Sequence, residues 1–500
     1  MPPPRLVGAG HAAPERGGTL TVALAGDVRS LDPSEVAEWP ANGVMHLLYD
    51  TLVEYAPATS ADPTALAPAL AQGWTVADAG LSYRFTLRPG LTYSDGRPIE
   101  AADFVRALDR LRAPDSRSGW AAFFRDLAQV RAPDPTHLEI RLRAPDAALL
   151  MRLALPATAP LPAGSPAAAR TSGPFRVGSF KPGQSMTLLR NPRYRDPARP
   201  YLDRVVVLLA VTGETAILQF LRGDTDLLEA LYATDWVRFA RTPAWQPLMV
   251  RAPALNLYGI ALNSTRPPLG DRRVREALAL AVRRADLVRL SAGNFTLAPG
   301  PLPSLLPEHD PALAPPPHDP ERARRLLAEA GLAGGLSLRY TDLVDAAAGR
   351  LAQSLQDDLL EVGVRLIVDP VTPATYGAVL ARGDFDLLPY EWTGDFPDPS
   401  NFFQAFDSRA DGVTNPARYR NAELDALLAK ARGEPERGRR SALYRRAERL
   451  VRDDWPWIWI GSQSSLAVRQ PYVMGYAHHL MWQKLDLRDV WLDEPRRALP

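Results

Sequence analysis

The stretch from Leu81 to Leu111 changes its hydrophobic period partway along, and that change constrains the fold more than any other feature of the chain. Leu81, Tyr83, Phe85 and Leu87 alternate with Ser82, Arg84, Thr86 and Arg88, the period of a strand with one buried face. Pro89-Gly90 turns the chain, Leu91-Thr92-Tyr93 runs back, and Asp95-Gly96 marks a second tight turn. From Ala101 the spacing becomes helical, with Phe104, Leu108 and Leu111 on one face. A β-hairpin followed by an amphipathic helix is expected here.

The same alternation recurs along the chain. Gly17-Gly18 precede a short apolar strand from Thr19 to Ala25, and after Leu31-Asp32-Pro33 a helical pattern ends in Leu47, Leu48, Leu52 and Val53. The Ala/Pro-rich tract from Pro156 to Pro166 reads as a surface connection, because such low complexity rarely forms a core. Thr171-Ser172-Gly173-Pro174-Phe175 opens a strand, and Asn191-Pro192-Arg193-Tyr194 sits in a turn before the apolar strand Arg204 to Val211. One motif is used twice. Leu221-Arg222-Gly223-Asp224-Thr225-Asp226-Leu227-Leu228 returns as Ala381-Arg382-Gly383-Asp384-Phe385-Asp386-Leu387-Leu388. In each copy a helix is expected to stop at glycine, which accepts the left-handed conformation, and a strand to follow. The Arg-Gly-Asp letters are thus a helix stop rather than an adhesion signal.

A second lobe is expected to begin near Leu255, where NLYGIALN reads as a strand. Asp271 caps a helix over Arg272 to Val282, with Val274, Leu278 and Val282 facing inward. Asp319-Pro320 opens another that closes at Gly331. Leu351 to Val362 and Ala422 to Lys430 add two more. Arg437 to Arg452 predicts a helix with Leu443, Ala447 and Leu450 on its apolar face and its arginines in solvent. Trp455, Trp457 and Trp459 alternate as on a strand returning to the first lobe. Strands separated by helices through both halves indicate α/β lobes with mixed sheets.

A chain of 500 residues is too long for one core, and two to four domains are expected. Its 58 basic and 57 acidic residues leave a formal charge of +1, which gives no global pull toward nucleic acid. No apolar run approaches the ~20 residues of a membrane span. The absence of cysteine excludes disulfides, thiolate metal sites and a lipid-modified cysteine within the chain as read. MPPPRLVGAGHAAPER, residues 1–16, lacks the apolar stretch of a secretion signal and is expected to be a disordered leader. The 7 histidines show no zinc spacing, and neither a G-x-S-x-G elbow nor a phosphate-cradling glycine loop is present. His478-His479 is either an exposed turn or a weak metal pair. A hydrolase assembled from distant residues is the alternative from another class.

Trp74, then Leu87-Arg88-Pro89-Gly90, then Ser94-Asp95-Gly96, then Ala101-Ala102-Asp103 follow one another in an order that resembles the family 5 solute-binding proteins, the peptide-binding receptors of ABC importers. The wording around Thr171 and Asn191 is similar to that family too, and the resemblance runs from about Gly17 to about Tyr476. Two departures stand out. Asp78-Ala79-Gly80 replaces an acidic pair before glycine, and Glu100 replaces a threonine cap, which predicts a weaker helix start.

The resemblance implies a two-lobed, periplasmic-binding-protein-like α/β fold with mixed sheets. The discontinuous first lobe would comprise residues 17–254, with an inserted subdomain over about 35–155, and a return over 463–500. The hinge-connected second lobe would span 255–462. It implies a non-enzymatic, monomeric, periplasmic or extracellular receptor that closes on a peptide and delivers it to permease subunits in the membrane, with no cofactor and no nucleic acid. The expected site is Tyr390-Glu391-Trp392-Thr393-Gly394-Asp395-Phe396-Pro397-Asp398-Pro399, where a strand from Phe385 to Tyr390 runs into a turn. A strand edge there can pair with an extended peptide. Asp395 matches the family's partner for the peptide α-ammonium, a charge-assisted bond that sets register, with Trp392 as an apolar wall beside Tyr390, Thr393 and Gly394. The other reading of Asp395 is a turn cap before Phe396-Pro397. Asp398 reads as a cap, and Phe396 as cleft wall or core. In the first lobe, Trp39 either stacks on ligand or belongs to the core, and Glu38 either meets a basic ligand side chain or is a surface acid. Dipeptide-selective relatives carry a basic residue ahead of the helix that begins here near Gly349. This chain instead reads Tyr340-Thr341-Asp342-Leu343-Val344-Asp345, with Arg339 and Arg350 out of register. Tyr340 joins the expected site, and longer peptides or cationic amines fit better than dipeptides. A non-peptide ligand on the same fold (opine, oligosaccharide, nickel chelate or heme) is the alternative.

Overall fold

The apolar run TLTVA forms strand β1 (Thr19–Ala23), with Leu20 and Val22 fully buried. The computed structural model describes residues 13–36, 41–58, 60, 62, 64–164, 170–229, 231, 233–343, 346–480 and 485–493. The chain divides into two units, Met1–Ala252 with Ser465–Pro500, and Pro253–Ser464.

In the first unit, helix α1 (Ala41–Leu48) is followed by an antiparallel sheet of four strands. These are β2 (Ala71–Ala77), β3 (Ser82–Leu87), β4 (Leu127–Asp134) and β5 (His137–Leu142), in the order β2-β3-β5-β4. The alternation of Tyr83, Phe85 and Leu87 is that of β3, and all three are buried. Its hairpin partner differs from the expected one. β3 pairs with β2 and β5 on its two edges, so Leu91–Tyr93 has no edge to join and makes only a bridge from Thr92 to Pro98. The tight turn is at Asp78-Ala79-Gly80, with φ of 52°, 51° and 88°. Helix α2 (Ala101–Arg112) lies against β4 and β5 with Phe104, Leu108 and Leu111 fully buried. Its start is not weak, because the Asp103 carboxylate accepts the Glu100 backbone N–H at 3.1 Å, which holds the first turn from within.

The expected surface connection after Pro156 is another correction. Residues 156–160 are buried. Prolines leave no N–H to satisfy, and the Thr158 hydroxyl donates to the carbonyls of Leu153 and Leu155, both at 2.9 Å. The second sheet of this unit uses β6 (Phe175–Lys181), β7 (Ser185–Arg190), β8 (Arg204–Leu208) and, after helix α3 (Gly213–Arg222), β9 (Leu227–Leu228). The order is β9-β1-β8-β7-β6. β1 is parallel to both neighbours and the rest are antiparallel, so the sheet is mixed. Val44, Leu48, Phe175, Leu188, Val205 and Val207 pack on Leu20 and Val22 as its core. α3 stops at Gly223, with φ 87°. His478 and His479 are not an exposed turn. Both are buried, and a ring N–H of His479 donates to the Ala56 carbonyl at 2.8 Å.

The second unit runs through β10 (Asn256–Leu262), α4 (Arg272–Ala281), β11 (Phe295–Leu297), α5 (Pro320–Glu329), β12 (Leu336–Leu343), α6 (Ala346–Glu361), β13 (Val364–Val371), α7 (Pro373–Arg382) and β14 (Leu387–Thr393). It continues through α8 (Pro399–Phe402), α9 (Ala422–Gly433) and α10 (Arg437–Asp454) into β15 (Trp457–Arg469). Asp271 caps α4 by accepting from the Arg273 N–H at 2.9 Å, and Asp319 does the same for α5 with Arg322. The strand order is β13-β12-β14-β10-β15. β12 is parallel to β13 and β14, while β14, β10 and β15 alternate antiparallel. The last residues of β15 belong to the first unit, where Val468 and Arg469 pair with Leu228 and Leu227. α10 buries a different face from the expected one, formed by Arg440, Tyr444, Ala447, Glu448 and Val451, with Leu443 and Leu450 at its margin. One arginine of the supposed solvent side is therefore internal.

Candidate functional site

Strand β14 begins two residues later than expected and extends to Thr393. It pairs with β10 along its whole length, from Leu387 opposite Leu262 to Thr393 opposite Asn256. With β12 it pairs only at Leu387, opposite Tyr340. Beyond that point its second edge has no strand partner among the described residues.

Alternation along β14 divides its side chains. Tyr390 and Trp392 share one face and are half-buried, while Glu391 and Thr393 are exposed on the other. The Tyr390 ring meets Trp457 edge-on at 5.4 Å, and its hydroxyl donates to the Val413 carbonyl at 2.8 Å. Trp457 in turn stacks on Trp459 at 5.9 Å, with Phe406 against both. This aromatic group is the floor beneath the strand end. Gly394 turns the chain with no room for a side chain. A Cβ there would stand 2.6 Å from Leu255 Cδ2 and 2.9 Å from Phe402 Cζ, and its N–H donates to the Leu255 carbonyl at 2.7 Å.

Asn401 organises the turn, and sequence reasoning missed it. Fully buried, it accepts from the Trp392 indole N–H at 3.0 Å and from the Asp395 backbone N–H at 3.2 Å through one oxygen. Its amide nitrogen donates to Asp395 Oδ2 at 3.1 Å. The available signal was an asparagine inside the short helix α8, where its poor helix propensity calls for another role. Asp398 anchors the far end. Its carboxylate accepts from the Ser400 N–H at 2.9 Å, as a cap should, and also takes Arg440 Nη2 at 2.8 and 2.7 Å. Phe396 is fully buried core.

Held this way, Asp395 is only partly exposed, and its one hydrogen-bonding side-chain partner among the described residues is a neutral amide. No arginine or lysine among the described residues pairs with it. Burial pushes its carboxyl up to about 6, against the smaller opposing pull of the Asn401 donor. A carboxylate taken from water without a cation is a place where a cation is stabilised.

The structure thus brings Tyr390, Trp392, Thr393, Gly394 and Asp395 into one strand end and turn. Tyr340 lies on the neighbouring strand β12, fully buried. Glu38 and Trp39 lie outside the described residues, as do Val344 and Asp345. Arg339 is engaged elsewhere, donating to Asp384 at 2.6 Å, and Arg350 is exposed.

A family model described as bacterial extracellular solute-binding proteins, family 5, middle region, matches residues 65–413. The chain is 28% identical over 474 residues to the heme-binding protein A of Haemophilus influenzae, covering 87% of this chain and 85% of that one. It is 26% identical over 499 residues to a di/tripeptide-binding protein 2 of Pseudomonas aeruginosa, covering 92% of both. Among solved structures, the clavulanic acid biosynthesis oligopeptide binding protein 2 superposes with a TM-score of 0.88 at 26% identity, over 98% of this chain and 99% of that one. No described helix is long and apolar enough to cross a membrane.

Proposed function

Because the chain belongs to family 5 of the bacterial extracellular solute-binding proteins, we propose that it captures short peptides outside the cytoplasm, holding their α-ammonium at Asp395, for delivery to an ABC permease. The observation that carries this reading is the Asp395 carboxylate, drawn out of water beside a neutral amide and with no cationic partner among the described residues. The open edge of β14 supports it. Main-chain groups there can bond an extended peptide whatever its side chains, while the half-buried Trp392 supplies an apolar surface.

Titration calorimetry with peptide pairs differing only in N-acetylation tests the role of Asp395. Asp395→Asn is expected to weaken binding of the free-amine peptide by about 10–100-fold, the worth of a hydrogen bond to a charged group, and to leave the acetylated one within a few-fold. Equal losses for both would reduce Asp395 to a turn residue. The heme-binding relative supports a second reading, a non-peptide cargo on the same fold. Mass spectrometry of molecules released on denaturing natively purified protein separates the two, since peptides yield a mixture and a dedicated cargo a single compound.

A further inference from the structure

Cross-strand register fixes what the second sheet of the first unit shows on its outer side. Leu20 of β1, Val205 of β8, Leu188 of β7 and Val177 of β6 stand in line and face the core. Successive residues of a strand point to opposite faces. The flanking row of Thr19, Arg204, Leu189 and Arg176 therefore faces outward. The next outward row, Thr21, Val206, Thr187 and Ser179, is uncharged, and the one after it ends in Lys181 opposite Ser185. Every charge in these outward rows is positive.

The first of them floors a groove of about 510 Å³. Arg204 and Arg176 flank Leu189 from the strands on either side, about 10 Å apart at the backbone. Arg204 is exposed, and Arg176 and Leu189 are half-buried. Neither guanidinium has an ion-pair or hydrogen-bond partner among the described residues. Asp203 also lines the groove, but Arg190 of β7 pairs with it, so that couple adds no net charge. At one end the Thr19 hydroxyl stands in the row beside Arg204, and Gly18 leaves the approach open.

A second observation comes from the other sheet of the same unit. There Arg84 of β3 and Arg131 of β4 flank Glu139 of β5 in the same cross-strand arrangement. Their guanidiniums reach its two carboxylate oxygens, at 2.6 and 2.5 Å. Two arginines set two strands apart can thus converge on one anionic group between them. In the groove the same pair of arginines stands over a leucine, and no acid occupies the centre.

From this arrangement we infer that the groove over Leu189 is a site for a phosphate group, held from its two sides by Arg204 and Arg176. Phosphate presents acceptor oxygens in every direction, so each planar guanidinium can take two of them in parallel charge-assisted bonds. The Thr19 hydroxyl supplies a further donor. The phosphate belongs either to a soluble phosphate or to the headgroup of an anionic phospholipid. The site lies within the first unit and shares no residue with the Asp395 turn.

Two measurements on the full chain distinguish these sources. Titration calorimetry in phosphate-free buffer uses inorganic phosphate and glycerol 3-phosphate. Flotation uses phosphatidylcholine vesicles with and without phosphatidylglycerol. Arg176→Gln and Arg204→Gln are each expected to weaken binding by about tenfold or more. Their melting temperatures should match the parent, since neither side chain has a partner to lose. Lys181→Gln removes the same charge from the same face, outside the groove, and is expected to leave binding unchanged. Soluble probes that follow this pattern support the site with a soluble ligand. Vesicle binding that requires phosphatidylglycerol and follows the same pattern, with no response to the soluble probes, supports it with a headgroup. A loss of equal size in all three variants is diffuse attraction to a basic face and overturns the site. So does binding that survives both arginine substitutions, or no binding of any probe.

Discussion

Burial raises the Asp395 carboxyl from 3.8 to about 6, so at neutral pH the fold holds a charge that water would solvate better. Because the folded value lies above the unfolded one, the group's stabilising contribution is complete below pH ~3.8 and is lost as pH rises through about 6. At pH 7.5 the ionised group costs on the order of 2–3 kcal/mol relative to a neutral one. Asp395→Asn keeps the size of the side chain and an acceptor for Asn401. Its melting temperature is therefore expected to match the parent near pH 4 and to exceed it increasingly up to pH 7.5. Thermal melts across that range check this, and a constant difference at every pH would mean that the carboxyl is not desolvated. The same substitution that stabilises the fold is the one expected to lose the free-amine ligand. The position of Asp395 was legible from the motif around it, whereas its environment was not. That environment depends on Asn401, six positions on and inside another element.

At the scale of elements, local signals were read correctly where the physics is local. α3 and α7 both stop at glycines with left-handed φ, 87° at Gly223 and 71° at Gly383, and each is followed by a strand. The two glycines differ in surroundings. A Cβ on Gly223 would meet nothing within 4 Å, but one on Gly383 would stand 2.9 Å from Arg418 Nε. Gly223→Ala is expected to cost about 1 kcal/mol from the backbone alone, and Gly383→Ala more, measured by urea unfolding. α10 shows where a local pattern misleads. A helix rich in arginine normally presents those side chains to solvent, yet Arg440 is buried against Asp398, the residue that caps α8. Arg440→Met alone is expected to cost about 3–5 kcal/mol by stranding a buried carboxylate, and Asp398→Asn in the same chain to recover much of it. If the single and double variants unfold alike, the pair is not coupled. The Ala/Pro tract erred in the other direction, since its composition resembles a linker but its prolines have few donors to leave unsatisfied.

At the scale of the whole molecule, each unit carries its own apolar core. In the first, Phe220, Phe239 and Trp245 form an aromatic group with centroids 5.3 to 5.9 Å apart. Phe220→Ala is expected to cost about 3–5 kcal/mol. Amide exchange followed by mass spectrometry should then speed up through residues 17–252 while 253–464 exchange as before, and uniform acceleration would show that the two cores melt as one. The α/β class, the mixed sheets, the helix stops at Gly223 and Gly383 and the family were determined by the sequence alone. Each rests on periods and motifs that act over a few neighbouring residues. Tertiary structure decided the rest. It gave β3 its true partners, buried residues 156–160, His479 and Arg440, and joined Asn401 to both Trp392 and Asp395. It also parted β12 from β14 beyond Leu387. These outcomes depend on which surfaces meet after the chain has folded back on itself, and no spacing along a sequence encodes the dielectric or the partners found there.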